Sequence, residues 1–321
     1  MANNKFEFEA AYRLLENKLE ELRQLSETLE CDFSNEIANV EKRISQLRAE
    51  RYKHLTPWEQ VILSRDLERP MTRDYIDTLC TDFIELHGDR LYGDDPAIVG
   101  GIAVFGDRAV TVIGQQKGQD TAENIRHNFG MPRPEGFRKA HRLLKNAERF
   151  QRPVITFINT PGADPGIGAE ERGQAWAISQ LLLCLSSLRV PVVSVITGEG
   201  GSGGALALTI ADRIIMLSNA VFSVASPETC ASILLRDVKR AGEMAEALKL
   251  NAPALKDLRI IDAIVDEPLN ENLLGAPDFV ADLRSAISKH LDEVSAQPLD
   301  DLIRQRYQRL RVIGQFYEPD L

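Results

Sequence analysis

The chain has 321 residues, 44% of them apolar and 27% charged, an ordinary globular make-up with room for one large domain plus an appendage or for two domains. Its formal net charge of −10 argues against wholesale nucleic-acid binding and leaves only local basic patches open. No apolar run approaches the roughly 18 residues a membrane span needs, and the opening residues, MANNKFEFEAAY, lack the pattern of a signal or transit peptide, so a cytoplasmic location is expected.

Residues 6–54 read as helical. Phe8, Tyr12, Leu15, Leu19, Leu22, Leu25 and Leu29 step by four and three, and after a break at Asp32–Asn35 the stripe resumes with Ile37, Val40, Ile44 and Leu47. Two such segments in series predict a helical hairpin used for packing or oligomerisation. Thr56-Pro57 reads as an N-cap followed by proline at the first helical position, and Thr72 as the cap of a helix through Leu86. The Pro70 region is the expected junction, dividing the chain into an N-terminal helical segment, 1–71, and a main domain, 72–321.

From Ile98 the texture changes. IVGGIAVFG and AVTVIG are β-branched runs joined around Gly106-Asp107, a predicted hairpin, and VITFI at 154–158 is a further buried strand. Between them, Pro134 to about Phe150 forms an amphipathic helix with Phe137, Ala140, Leu144 and Ala147 on one face. Residues 126–152 carry eight Lys or Arg against two Glu, either a solvated helix face or a surface for an anionic ligand or partner. A Gly/Pro-rich loop, Asn159 to Gly168, then opens a helix expected over Ala169–Leu188.

Val192–Ile196 is the pattern of a strand buried on both faces. It runs into Gly198, Gly200, Gly201, Gly203 and Gly204, five glycines in seven residues, then a small-residue helix over Ala205–Ala211 and a strand at Ile214–Leu217. A short apolar run at Val221–Val224, a turn at Ser226-Pro227-Glu228 and a series of helices complete the chain. The last helix carries Arg304, Arg306, Arg309 and Arg311. The four cysteines, Cys31, Cys80, Cys184 and Cys230, are scattered with no Cys-x-x-Cys pair, so buried thiols are expected and a zinc site within the chain is not.

A strand that ends in glycines and opens a helix presents bare N–H groups and the positive end of the helix dipole, a place for a phosphate or for an oxyanion formed during a reaction. Gly198-Glu-Gly-Gly-Ser-Gly203 formally satisfies the dinucleotide pattern, but the acid that should follow about 20 residues on is replaced by Ser218-Asn219. A P-loop needs a lysine after the last glycine, and none is present. An oxyanion hole of backbone amides needs glycine because the oxygen must approach the main chain closely. Close helix–strand packing alone would be the structural reason for fewer glycines.

Several long blocks carry a resemblance. They are Gly-Asp-Arg at 88–90 with Asp94-Asp95, IVGGIA at 98–103, Gln116-Lys117-Gly118, NFGMPRPEGFRKA at 128–140, TPGADPGIGAEERGQ at 160–174, GEGGSGGALA at 198–207 and SPETCASIL at 226–234. In this order, and over nearly the whole chain, they resemble the carboxyltransferase α subunits of bacterial-type acetyl-CoA carboxylases. The resemblance implies an α/β fold, a crotonase/ClpP-like spiral of β-β-α units with an N-terminal helical hairpin and C-terminal helices. It implies transfer of a carboxyl group from carboxybiotin, borne on a biotin carrier protein, to acetyl-CoA, giving malonyl-CoA for fatty acid synthesis. It also implies an α2β2 heterotetramer with a β subunit that holds the zinc and most of acetyl-CoA, the active site lying between the two.

Carried over residue by residue, the backbone N–H groups of Gly203 and Gly204 would hold the ureido oxygen of biotin. The ureido anion left after loss of CO₂ would take the α-proton of acetyl-CoA, so no side-chain base is required. Gly162, Ala163, Asp164, Gly166 and Gly168 would shape the pocket wall, Gly200 and Gly201 would form the loop, and Lys117, Arg126 and Arg172 would meet substrate or partner carboxylates. Three departures stand out: Asp164 where the family usually carries an aromatic, Thr229 where a small residue is usual, and Asn270–Leu274 in place of a Gly-Gly-Ala-His-Arg run. They leave open a paralogue for another acyl-CoA, such as propionyl-CoA, or a non-catalytic regulatory partner of the β subunit.

Overall fold

The computed structural model describes residues 17–26, 33–52, 54–268 and 272–314. Eight strands form its sheet: β1 (Thr81–Glu85), β2 (Ile98–Phe105), β3 (Arg108–Gln115), β4 (Val154–Thr160), β5 (Val192–Gly201), β6 (Arg213–Leu217), β7 (Val221–Ser223) and β8 (Ala263–Val265). Their order is β1-β2-β3-β4-β5-β6-β8, antiparallel as far as β3 and parallel beyond it. The β2–β3 hairpin turns at Gly106, whose φ of +64° suits glycine. Every residue of β4 is buried, as are the first nine of β5, which is why these strands read as unbroken apolar runs.

Strand β5 is longer than its apolar run predicts. Its first half pairs with β6 and its glycine-rich end, Glu199–Gly201, pairs with β7. Gly200 makes this possible, because a Cβ there would lie 2.8 Å from the Phe222 ring and 3.0 Å from the Val221 carbonyl. Helices Pro134–Arg149 and Gln174–Ser187 pack on one another and bury Phe137, Ala140, Leu144, Ala147, Leu181 and Leu185, while Pro277–Ser295 packs against β5, β6 and β8.

The helix expected from Thr72 to Leu86 stops at Leu79, and Thr81–Glu85 becomes the edge strand β1. Cys80 takes extended geometry, and the half-exposed TDFIE run has too few apolar positions to continue the buried face. Its cap is Met71, whose amide donates to Asp74 at 2.7 Å, and the Thr72 hydroxyl instead donates to the Gln115 carbonyl. The helix expected over Ala169–Leu188 is broken at Gly173, with φ of +81°, into Ile167–Glu171 and Gln174–Ser187. Thr56 caps Pro57–Ser64 as predicted, in a reciprocal box with Glu59.

Residues 17–26 and Ser34–Tyr52 are helical, with Leu19 and Ile44 buried and Arg23 bonded to Glu41 at 2.8 Å between them. Phe8, Tyr12, Leu15, Leu29, Cys31 and Asn270 lie outside the described residues. Cys80 and Cys184 are buried, and burial pushes both thiols up to about 11, while Cys230 is half-buried.

The basic stretch is absorbed by packing. Arg138 bonds Asp89 at 2.7 Å, Lys139 bonds Asp94 at 2.6 Å, and Arg142 bonds the Gly88 carbonyl at 3.0 Å, so the helix Pro134–Arg149 pins the loop 87–95. In the helix Leu299–Arg311, Arg306 is fully buried. It donates to the carbonyls of Leu185, Leu188 and Val190 and to both oxygens of Asp212, closing the end of the sheet opposite the glycine-rich loop.

Candidate active site

Two loops meet at the carboxyl ends of the parallel strands, the place where open α/β sheets bind ligands. One follows β4, the other ends β5. A Cβ on Gly201 would lie 2.1 Å from the Pro161 carbonyl oxygen, and one on Gly204 would lie 2.5 Å from both Gly162 C and Ala163 N. The main chains are therefore in direct contact, closer than any residue with a side chain allows. A Cβ on Gly203, in contrast, would meet nothing within 4 Å.

Gly203 and Gly204 lie in the first turn of the helix Ser202–Thr209, where amides have no intrahelical acceptor. Ser202, just before them, has φ of +56°, a left-handed kink that turns the chain abruptly from strand to helix. The Gln115 side chain fixes the arrangement from beneath, donating to the Gly204 carbonyl at 3.1 Å and accepting from the Asn159 amide at 3.2 Å. First-turn amides at a helix start, with open space on the Cβ side of Gly203, suit a developing negative oxygen.

Beneath the loop lies a chain of charges, buried at Glu199 and Lys117 and half-buried at Arg65 and Glu228. Glu199 pairs with Lys117 at 3.2 Å and with Arg65 at 2.7 Å, and Arg65 goes on to Glu228 at 2.5 Å. Arg69, also buried, bonds Glu267 and donates to the Thr197 carbonyl at 2.7 Å. Burial opposes ionisation of Glu199, but Lys117 and Arg65 outweigh it and hold its carboxyl below the usual range. Burial pushes Lys117 down, Glu199 opposes this, and the charges of Arg65 and Arg69 add to the lowering. Four segments distant in sequence are thus joined under β5.

The second loop is cross-tied. The Thr160 hydroxyl lies 2.6 Å from the Gly130 carbonyl and 2.8 Å from the Gly162 carbonyl, with one proton to donate to either, and accepts from the Gly162 amide at 3.1 Å. Asp164 accepts from Asn128 and Arg133, both at 3.2 Å, and from the Gly166 amide at 2.8 Å, while its own amide donates to the Pro132 carbonyl. The carboxylate that departs from the family pattern therefore joins 128–133 to 160–166.

Of the residues singled out from the sequence, Gly162, Ala163, Gly201, Gly203 and Gly204 come together, with Gly200 one step behind. Asp164 and Gly166 lie further along the same loop. Lys117 sits under the loop with its ammonium on Glu199. Arg172 is engaged twice, as a fork on Glu135 at 2.9 and 3.1 Å and over the Tyr92 ring at 4.5 Å, and Gly168 lies against it. Arg126 ends the helix Thr121–Arg126 and is exposed. Thr229 bonds the capping Ser226 at the start of Pro227–Cys230. Gln115, Asn159, Thr160 and Arg65 were not anticipated. The polar residues Gln115, Asn159 and Thr160 at the ends of otherwise apolar strands were the available signal.

Among the described residues no group of three or more His, Cys, Asp or Glu is placed to hold a metal ion, and no helix is long and apolar enough to cross a membrane.

A sequence model of the acetyl co-enzyme A carboxylase carboxyltransferase-like family matches residues 5–314. A Syntrophomonas wolfei protein called acetyl-coenzyme A carboxylase carboxyl transferase subunit alpha is 55% identical over 98% of this chain and 99% of its own length. Its counterpart from Thermus thermophilus is 49% identical over 98% and 99%. Among solved structures, a Pseudomonas malonate decarboxylase hetero-tetramer in complex with coenzyme A aligns with a TM-score of 0.60 at 16% identity, covering 77% of this chain and 97% of that one. Transcarboxylase 12S aligns at 0.59 and 19% identity over 73% of this chain, which spans under half, 44%, of that longer one. These two likenesses show the fold, a crotonase-like α/β fold.

Proposed function

The chain belongs to the acetyl-CoA carboxylase carboxyltransferase family, and on that premise we propose that it is the α subunit that moves a carboxyl group from carboxybiotin to acetyl-CoA, giving malonyl-CoA for fatty acid synthesis. The observation that carries the reading is the pair of interlocked glycine loops, with open space on the Cβ side of Gly203 and the Gly204 position closed by Gly162 and Ala163.

The residues fit the ureido edge of biotin, since a flat oxygen can reach the first-turn amides only where no Cβ intervenes. Biotin, when bound on its carrier protein, supplies the carboxyl group and a nitrogen base. This chain's part is electrostatic and positional. The N–H groups of Gly203 and Gly204 would donate to the ureido oxygen, the helix Ser202–Thr209 would add its dipole, and the 160–166 loop would wall that side. The buried pairs of Glu199 hold the strand end that aims the amides, so they need not reorganise during transfer.

Acetyl-CoA and its enolate oxygen fall to a β subunit carrying its own zinc, in an α2β2 assembly that acts in the cytoplasm and receives the carrier protein at the shared site. The test is to co-purify the chain with its genome's zinc-ribbon carboxyltransferase subunit and follow malonyl-CoA formation from carboxybiotin and acetyl-CoA. Turnover by the pair and none by either chain alone is expected; a stable pair without turnover on acetyl-CoA would overturn the assignment.

A further inference from the structure

Gln115 ends β3 and is fully buried, although it is polar and no step derived above uses it. Strand β4 pairs with β3 only as far as Phe157, opposite Gly114, and its pairing with β5 shifts register between Ile158 and Thr160. Asn159 therefore stands where the ladder is interrupted, and its buried backbone N–H needs a partner from elsewhere.

The Gln115 carboxamide is that partner, and its other end is used as well. Its oxygen accepts from the Asn159 amide at 3.2 Å, and its nitrogen donates to the Gly204 carbonyl at 3.1 Å. A carboxamide suits the place because it carries an acceptor and a donor on one plane, whereas a carboxylate only accepts. Asn159 repeats the device, since its side-chain oxygen accepts from the Glu199 amide at 3.3 Å. Two carboxamides in series thus take over where the ladder stops, and they join the start of the helix Ser202–Thr209 to the ends of β4 and β5.

We propose that Gln115 is a positioning residue for the transfer reaction. By holding the Gly204 carbonyl at a fixed distance from the end of β4, it sets where the first turn of the helix lies against the 160–166 loop. This rests on the function proposed above. Thr156 offers the matching contrast: its buried hydroxyl lies 2.8 Å from the Leu208 carbonyl and so seats the far end of the same helix.

The test uses the complex with the β subunit and measures carboxyl transfer from malonyl-CoA to free biotin. Gln115→Met keeps the length and removes both hydrogen bonds. Its kcat should fall about 10–10²-fold, as for a misplacement of roughly 1 Å, with the KM for malonyl-CoA unchanged. Thr156→Val removes a buried hydrogen bond from the other end of the helix and should lower Tm while leaving kcat at the wild-type value. Gln115→Asn keeps the carboxamide but is too short to span both partners; it should show the same loss of kcat, and it replaces Gln115→Met should that chain not assemble. Wild-type kcat in either assembled Gln115 variant, an equal loss of kcat in Thr156→Val, or failure of both Gln115 variants to assemble would each overturn the proposal. Absence of biotin-dependent transfer in the wild-type complex would overturn the underlying function instead, so the two failures are distinct.

Discussion

The Cβ that Gly201 lacks would lie 2.1 Å from the carbonyl oxygen of Pro161. Strand β5 and the loop after β4 therefore touch main chain to main chain, a contact that exists only because Gly201 has no Cβ. Gly201→Ala and Gly204→Ala must push the loops apart and should each cost about 1–3 kcal/mol of stability, as overpacking does. Gly203→Ala points a methyl into open space and should leave stability unchanged or raise it by up to about 1 kcal/mol. Urea midpoints of the three variants distinguish these outcomes, and equal losses would refute the contact.

Glu199 and Lys117 form a buried pair, so removing either leaves the other without its partner. Glu199→Gln or Lys117→Met should cost about 3–5 kcal/mol, and the double variant should lose less than the sum of the two. A double-mutant cycle in denaturant measures the coupling, and strict additivity would mean that the pair is not formed.

Arg306 satisfies Asp212 and three carbonyls at once. A lysine keeps the charge but not the planar fork. Arg306→Lys and Arg306→Met should therefore both destabilise the protein, by about 3 kcal/mol or more for Met, which strands the Asp212 carboxylate. A thermal midpoint for Arg306→Lys equal to wild type would count against the fork.

Asp89 predicts an acid response. Burial alone would raise its pKa, but hydrogen bonds from the Leu91 amide, the Arg138 guanidinium and the Tyr92 and Gly93 amides outweigh it and hold the carboxyl at about 2. The folded value lies below the unfolded one of about 3.9, so the stabilisation is fully present above that value and is lost as the pH falls toward 2. Asp89→Asn should be less stable at pH 7 and should lose less of what remains between pH 4 and 2. Denaturation midpoints across that range give the comparison.

The β2–β3 hairpin, the buried strands β4 and β5, and the glycine-rich turn into a helix were legible because each is a local pattern of periodicity and glycine spacing. Strand β1 was not, because Thr81–Glu85 is a short, half-exposed edge next to a helix of similar composition. The break at Gly173 was hidden inside a run that otherwise suits a helix. The charge chain Lys117–Glu199–Arg65–Glu228 joins residues up to 163 positions apart, a distance no local pattern reports. The basic stretch 126–152 was visible as charge, but only the fold shows Arg138, Lys139 and Arg142 turned onto the 87–95 loop. Asp164 was legible as a departure, and its work in tying Asn128 and Arg133 was not.

The most direct test of the account is carboxyl transfer by the α–β complex carrying Gly203→Val, with assembly and Tm followed in parallel. A branched side chain at Gly203, whose Cβ would point into open space, should leave the complex intact and lower turnover by about 10²–10³-fold, as for loss of an oxyanion donor. Wild-type turnover in an intact Gly203→Val complex would contradict the claim that this amide holds the reacting oxygen.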